Sequence, residues 1–218
     1  MTNLSEFTFL SSDGKTQLHG MLWEPEGVAV RAVLQICHGV AEHIARYDGF
    51  ARALNEQCIA VAGHDHLGHG KSLPEGGTPV YFGEGNTWNT VVDDIYILHQ
   101  RLKQRYPDAP LCIMGHSMGS FLTRTYLIRY PGTVKAITGG LAVANAVAAV
   151  AGESATSDLV TELAFGSYNK LFAPNRTKVD WLSADESNVD DYIADPLCGA
   201  DATVGLFRQM LHGLRFNQ

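Results

Sequence analysis

The stretch LCIMGHSMGS, Leu111 to Ser120, is an apolar run that ends in Gly115-His116-Ser117-Met118-Gly119. A serine flanked at −2 and +2 by glycine, between a strand-like and a helix-like segment, fits G-x-S-x-G. In that context the serine sits on a tight strand-to-helix turn, and small residues at 115 and 119 relieve the clash the turn creates. Such a turn lifts the hydroxyl above the sheet edge and aims a helix N-terminus at the place where an oxyanion would form. The plainer alternative is a βα turn in which glycine serves geometry and Ser117 caps the helix.

Two further clusters carry chemistry-bearing side chains. His38-Gly39-Val40-Ala41-Glu42-His43 follows an apolar run ending at Cys37. Its His-Gly turn could expose the Val40 N–H as one oxyanion donor beside the Met118 N–H. The spacing H-x-x-x-E-H misses the patterns that place two histidines on one helical face for zinc. Asp65-His66-Leu67-Gly68-His69-Gly70-Lys71-Ser72 is the third cluster, and His64 extends it to H-x-H-x-x-H. A P-loop fails here because the first glycine position holds Asp65. A metal-dependent hydrolase using His64, His66 and His69 is one reading, to be tested by chelation. The preferred reading is a polar loop that staples a strand end to its neighbours.

The elements that must position these residues follow from periodicity. Residues 5–10 and 16–23 read as strands around a turn signalled by Asp13-Gly14. Residues 29–37 and 58–65 are apolar strand-like runs. Between them, 46–57 is predicted as a helix with Phe50, Ala53 and Leu54 on one face. Residues 90–106 form a strong amphipathic helix, with Val91, Ile95, Leu98 and Leu102 in register and Pro107 beyond its end. Strand 109–116, a helix closed by Pro131, and strand 134–140 complete the series. Two strands followed by strand–helix units predict an α/β fold, a largely parallel sheet with helices on both faces. Beyond Ile137 no buried strand is evident. An alanine-rich segment from Leu141 leads into polar helical stretches at 157–172, 185–193 and 203–214. The expected division is a core over 1–140 and a helical cap over 141–215.

Composition narrows the function classes. The 218 residues are 45% apolar, with a formal charge of −7. No Lys/Arg cluster exists to neutralise phosphates, which argues against a nucleic-acid partner. Cys37, Cys58, Cys112 and Cys198 form no C-x-x-C pair and read as buried free thiols in a reducing compartment. The N-terminus MTNLSEFTFL is not a signal peptide, and LAVANAVAAVAG (141–152) is too short and weakly apolar to span a bilayer. A cytoplasmic location is expected.

Taken together, HGVAEHIARY, DHLGHGKS and GHSMGS resemble, in order and spacing, the α/β-hydrolase superfamily, and most closely its monoacylglycerol lipase and lysophospholipase branch. The resemblance is clear over about 15–140 and looser through DWLSADE and YIADPLCG in the cap. It implies ester hydrolysis through an acyl-enzyme, with Ser117 as nucleophile and the Val40 and Met118 amides as the oxyanion hole. His38, Gly39, Gly115, His116 and Gly119 would shape the elbow and its hydrogen bonds. A single-chain acyl ester is the implied substrate, with the cap lining an acyl tunnel and touching a membrane or micelle surface. No cofactor or metal is implied.

A serine hydroxyl needs a base and a group that orients the base. In this superfamily the acid and then the histidine follow the nucleophile, each after a further core strand. Neither strand is evident before GLRFNQ, so the chain reads as C-terminally truncated. A fallback triad of Ser117, Asp195 or Asp201, and His212 is disfavoured: the acids lie about ten to seventeen residues before His212 with no strand between. His212 reads instead as a surface histidine on an amphipathic helix. Without closing strands, Val134–Thr138 would be an open apolar edge that a homodimer or swapped partner would cover. The competing function is a catalytically silent scaffold that binds an acyl ligand or a partner protein.

Overall fold

A computed structural model describes residues 1–139, 167–170 and 173–217. Its elements, in chain order, are β1 (Thr2–Leu10), β2 (Gln17–Pro25), β3 (Ala32–Cys37), α1 (Asp48–Asn55), β4 (Ile59–His64), α2 (Thr87–Arg105), β5 (Leu111–His116), α3 (Met118–Arg129), β6 (Lys135–Gly139), α4 (Ser167–Lys170), α5 (Glu186–Ala194) and α6 (Val204–Phe216). The six strands form one sheet in the order β1-β2-β4-β3-β5-β6. β2 pairs antiparallel with β1 and β4, and every pairing from β4 through β3 and β5 to β6 is parallel. The α/β architecture expected from the strand–helix alternation is present. Its antiparallel part comes from the N-terminal hairpin, whose turn is set by Gly14 at φ 75° and by the Asp13 carboxylate accepting from the Lys15 and Thr16 amides.

The central strands are buried on both faces, and their side chains divide with period two. Val33, Cys37, Ala60, Ala62, Leu111 and Ile113 face the cluster that contains α2, α3 and α6. Leu34, Ile36, Val61, Cys112 and Met114 face the other side, with Ile44, Tyr47, Ala51 and Leu54. Val91, Ile95, Leu98 and Leu102 of α2 are all buried, as their spacing predicts.

The face expected for α1 is wrong. Phe50 is 45% exposed and Ala53 is exposed, whereas Ala51 and Asn55 are buried. A 3-10 turn over Ile44–Tyr47 precedes the helix and sets its phase. Ile44, Tyr47, Ala51 and Leu54 then make one continuous stripe, a helical repeat that begins before the predicted start. The thiols are also less buried than expected: all four are free, but only Cys37 is fully buried.

The alanine-rich run and most of 157–172 lie outside the described residues. Among those described, β6 is the edge strand, and every element after it is helical. Within the stretch expected to be a cap, α6 packs on α2 and α3. Thr203 caps it, accepting from the Leu206 amide at 3.1 Å and donating to the Val80 carbonyl at 2.9 Å. Leu206, Phe207 and Met210 enter the main core, and Gly213 lies flat against the Trp88 indole. No helix among the described residues is long and apolar enough to cross a membrane.

Gly63 in β4 shows how tightly the strand carrying the histidine loop is packed. A Cβ there would strike Ile44 Cδ1 and lie 2.8 Å from the Ile36 carbonyl oxygen, which the sheet holds in place. Gly63→Ala is expected to destabilise the fold by about 1–3 kcal/mol. In urea titration its midpoint should fall at unchanged slope; an unshifted midpoint would contradict the packing.

Candidate active site

Ser117 lies between β5 and α3 with φ 50° and ψ −118°. Few non-glycine residues accept a positive φ, and holding one there costs on the order of 1–3 kcal/mol. The flanking glycines are required by contact. A Cβ on Gly115 would strike the Gly119 carbonyl, and one on Gly119 would strike the Cys37 carbonyl at the end of β3. α3 therefore begins pressed against the neighbouring strand end. The carbonyl of Ser117 accepts from the Ser120 amide at 2.9 Å and from the Ser120 hydroxyl at 2.6 Å. The Ser117 side chain makes no capping hydrogen bond to the helix it starts. The plain N-cap reading is therefore unfilled, and Ser117 as a residue is half-buried.

The loop after β3 reaches this serine directly. A Cβ on Gly39 would lie 2.6 Å from the Glu42 carboxylate and 3.2 Å from Ser117 Cβ, so a side chain there would press on both. The His66 amide donates to His38 Nε2 at 2.9 Å, which makes Nε2 the acceptor and leaves the ring proton on Nδ1. Nδ1–H then donates to the Gly39 carbonyl at 2.7 Å. Burial lowers the pKa of His38, consistent with this neutral tautomer. The Glu42 carboxylate closes the loop from below. Its Oε1 accepts from the Gly39 amide at 2.5 Å, from His116 Nδ1 at 2.9 Å and from the Tyr47 hydroxyl at 3.1 Å. Burial pushes the Glu42 pKa up, but the His116 bond, the nearby imidazoles and the Gly39 amide outweigh it and hold it at about 2. His116 shifts upward through the same bond. One carboxylate thus joins the loop carrying Val40 to the residue preceding Ser117.

Asp65 does the same work one strand further on. Oδ1 accepts from the Ile44 amide at 2.7 Å; Oδ2 accepts from the Lys71 amide at 2.9 Å and pairs with His19 Nδ1 at 2.9 Å. Against the upward push of burial, these partners hold its pKa at about 2. Ser72 completes the staple, donating to the Asp65 carbonyl and accepting from the His19 amide. His38, His64, His66 and His69 pack ring against ring behind the loop, with His38 and His66 centroids 4.2 Å apart. The metal reading for His64, His66 and His69 does not assemble. Among the described residues, the single group of three ligand atoms close enough to share an ion is His43, Asp195 and Cys198.

The fallback triad does not assemble either. Asp195 Oδ2 pairs with His43 Nε2 at 2.7 Å. Among the described residues no hydrogen bond or ion pair joins His212 to Asp195 or Asp201. His212 lies on the exposed face of α6, because the buried face of that helix runs through Leu206, Met210 and Gly213.

A family model described as serine aminopeptidase, S33, matches residues 28–218. The chain belongs to this family of hydrolases. It is 31% identical to mouse monoglyceride lipase over 210 residues, covering 94% of this chain and 64% of that protein. It is 30% identical to a monoacylglycerol lipase of Mycolicibacterium smegmatis over 203 residues, covering 88% of this chain and 65% of that one. The chain thus spans a little under two thirds of these relatives. A carboxyl esterase from Bacillus coagulans shares the fold, with TM-score 0.82, 23% identity, and coverage of 99% of this chain and 74% of that one. A lipase in open form gives TM-score 0.76 at 25% identity with the same coverage. The fold is that of the α/β-hydrolases.

The stapling loop at Asp65–Ser72 was read correctly from the sequence, but the groups that Glu42 and Asp65 accept from were not legible from spacing alone. A carboxylate inside a polar loop gives no periodic signal, and only the fold shows which amides it accepts. The buried imidazoles have a measurable consequence. Burial drives the pKa of His64 and His69 to about 3, and that of His66 well below its usual value. Between about pH 6.5 and 3 the unfolded chain binds protons that the folded chain refuses, so stability falls as pH falls through that window. The expected slope is on the order of 1.4 kcal/mol per pH unit for each such imidazole. Urea unfolding at pH 7 and pH 5 should show the native protein losing stability, and His64→Phe should flatten the dependence by one imidazole's share. Equal stability at both pH values would contradict neutral burial.

Proposed function

We propose that this chain is the Ser117-bearing part of a serine hydrolase acting on carboxylic esters of single-chain acyl lipids, of monoacylglycerol lipase or lysophospholipase type. The observation that carries the reading is the positive-φ turn at Ser117, whose hydroxyl is not used to cap α3 while Gly39 packs against its Cβ. The names of the monoglyceride lipase relatives support the substrate class.

Ser117 Oγ attacks the ester carbonyl carbon and loses its proton to a base, giving a tetrahedral oxyanion. The Val40 and Met118 amides, on the loop and at the helix start, stabilise that charge. Collapse expels the alcohol and leaves an acyl-enzyme, which water then hydrolyses. Gly39, Gly115 and Gly119 give the approach space, and His38 and His116 hold the loops that carry the amides. Residues 1–140 serve as core and 141–215 as a cap lining the acyl site, with α6 as its seat on the core. The cap is the segment proposed to meet a membrane or micelle surface, and β6 is the edge a second chain would cover. The free thiols support a reducing, cytoplasmic setting.

A second reading is a catalytically silent scaffold, favoured by one observation: among the described residues no side chain hydrogen-bonds Ser117 Oγ. A fluorophosphonate probe separates the two. In a protein that carries an acid and a base for Ser117, the native form should gain one adduct by intact mass and Ser117→Ala none, with monoacylglycerol hydrolysis falling by about 10³-fold or more. A folded protein completed in this way that takes no adduct would overturn the proposal in favour of the scaffold. Glu42→Gln should also lower kcat, by about tenfold to a hundredfold at little changed KM, because it loosens the loop bearing the Val40 donor. An unchanged kcat would remove Glu42 from the positioning of that donor.

A further inference from the structure

The loop that bears Val40 has a second polar contact, through His43. His43 from this loop meets Asp195 at the end of α5 and Cys198 in the turn that follows, with ligand atoms all within 4.8 Å of one another. Nitrogen, oxygen and sulfur donors in one group match the preferences of zinc-class ions, which take three protein ligands and leave a fourth position to water. A tetrahedral ion of that class holds its ligand atoms roughly 3.3–3.7 Å apart. Side-chain adjustments of about 1 Å would therefore suffice.

The backbone already holds the donors. The Cys198 amide donates to the Asp195 carbonyl at 3.0 Å, and the Leu197 amide donates to Asp195 Oδ1 at 2.8 Å, which leaves Oδ2 facing His43. The Gly199 amide and the Tyr192 hydroxyl both donate to the Ala41 carbonyl, at 3.0 and 3.2 Å, so the turn and the loop are in register before any ion arrives. His43 is buried, while Asp195 and Cys198 are half-buried, which gives an ion a path from solvent. Arg46 Nη1 lies 3.7 Å from Cys198 Sγ, its guanidinium 4.7 Å from the Tyr192 ring centre. It can yield the sulfur and keep Tyr192 and Glu42, whose Oε2 is 3.7 Å from Nε.

We propose that His43, Asp195 and Cys198 form a site for a thiophilic divalent cation of the zinc class, clamping the turn 195–199 to the loop 38–43. On binding, the Cys198 thiol gives its proton to solvent as the sulfur–metal bond forms. The hydrogen bond between His43 Nε2 and Asp195 Oδ2 breaks, and the imidazole proton moves to Nδ1, so that Nε2 presents its lone pair. No electron transfer is involved. The site uses none of the residues assigned to the serine chemistry, and its test does not depend on that assignment.

The test uses the 218-residue chain, stripped of metal and titrated with Zn²⁺ against a chromogenic chelator, then with Co²⁺. One ion per chain at micromolar affinity or tighter is expected, with a thiolate-to-cobalt charge-transfer band in the native protein. Cys198→Ser leaves the His43–Asp195 pair intact. It should weaken binding at least tenfold, abolish the band and remove the zinc-induced rise in Tm. His43→Gln should weaken binding similarly. Absence of stoichiometric binding, a cobalt complex without the sulfur band, or equal affinity in Cys198→Ser would each overturn the proposal. The native protein's cobalt spectrum decides the matter even if a variant does not fold.

Discussion

The close approach of α3 to the end of β3 is the constraint on which the site depends. Gly119 lies against the Cys37 carbonyl and Gly115 against the Gly119 carbonyl, so the chain can turn from β5 into α3 only through a residue at positive φ. Ser117 occupies that position. The parallel pairing of β3 with β5, Cys37 opposite Gly115, brings the two strand ends level. Because they are level, the loop leaving β3 and the helix leaving β5 start within van der Waals contact. Both therefore lie beside Ser117. Neither glycine acts on a substrate; each removes a methyl group that would hold the two loops apart.

That convergence places many backbone polar groups away from water, and two carboxylates satisfy them. Glu42 accepts from a backbone amide, an imidazole and a phenol; Asp65 accepts from two amides and an imidazole. A buried anion with several donors is stable, whereas a buried anion with none is not. Both carboxylates remain ionised well below neutrality, and so hold their loops throughout the physiological range. His38, His64, His66 and His69 are held neutral because burial disfavours the imidazolium, whereas His19 and His116, bonded to the two carboxylates, shift upward. The cluster is thus a polar core behind the serine, arranged so that charge resides on the carboxylates.

Much of the fold was legible because its signals are periodic. The central strands are short apolar runs, α2 carries an unbroken apolar stripe, and G-x-S-x-G falls where a strand meets a helix. The α1 face failed for a definite reason. The 3-10 turn at Ile44–Tyr47 is pinned by the Asp65 carboxylate at the Ile44 amide, a contact 21 residues distant in sequence. That contact sets the phase of the helix, and no local pattern reports it. The same limit hid the pairing of His43 with Asp195, separated by 152 residues. The disfavoured pairing of Asp195 or Asp201 with His212 rested on chain order alone. The turn at 195–199 instead faces back toward β3.

The loop from His38 to His43 is therefore shared between two neighbours. Through Glu42 it is tied to His116 and the Ser117 turn; through the Ala41 carbonyl and His43 it is tied to residues 192–199. Ala41 itself is at φ 54°. A shift of the 192–199 turn would pull on the Ala41 carbonyl, which belongs to the peptide unit shared with Glu42. Three bonds to that carboxylate would resist, and the Val40 amide lies between the two anchors. In this geometry the position of the Val40 amide depends on contacts made by a segment that follows the core strands by more than fifty residues in sequence.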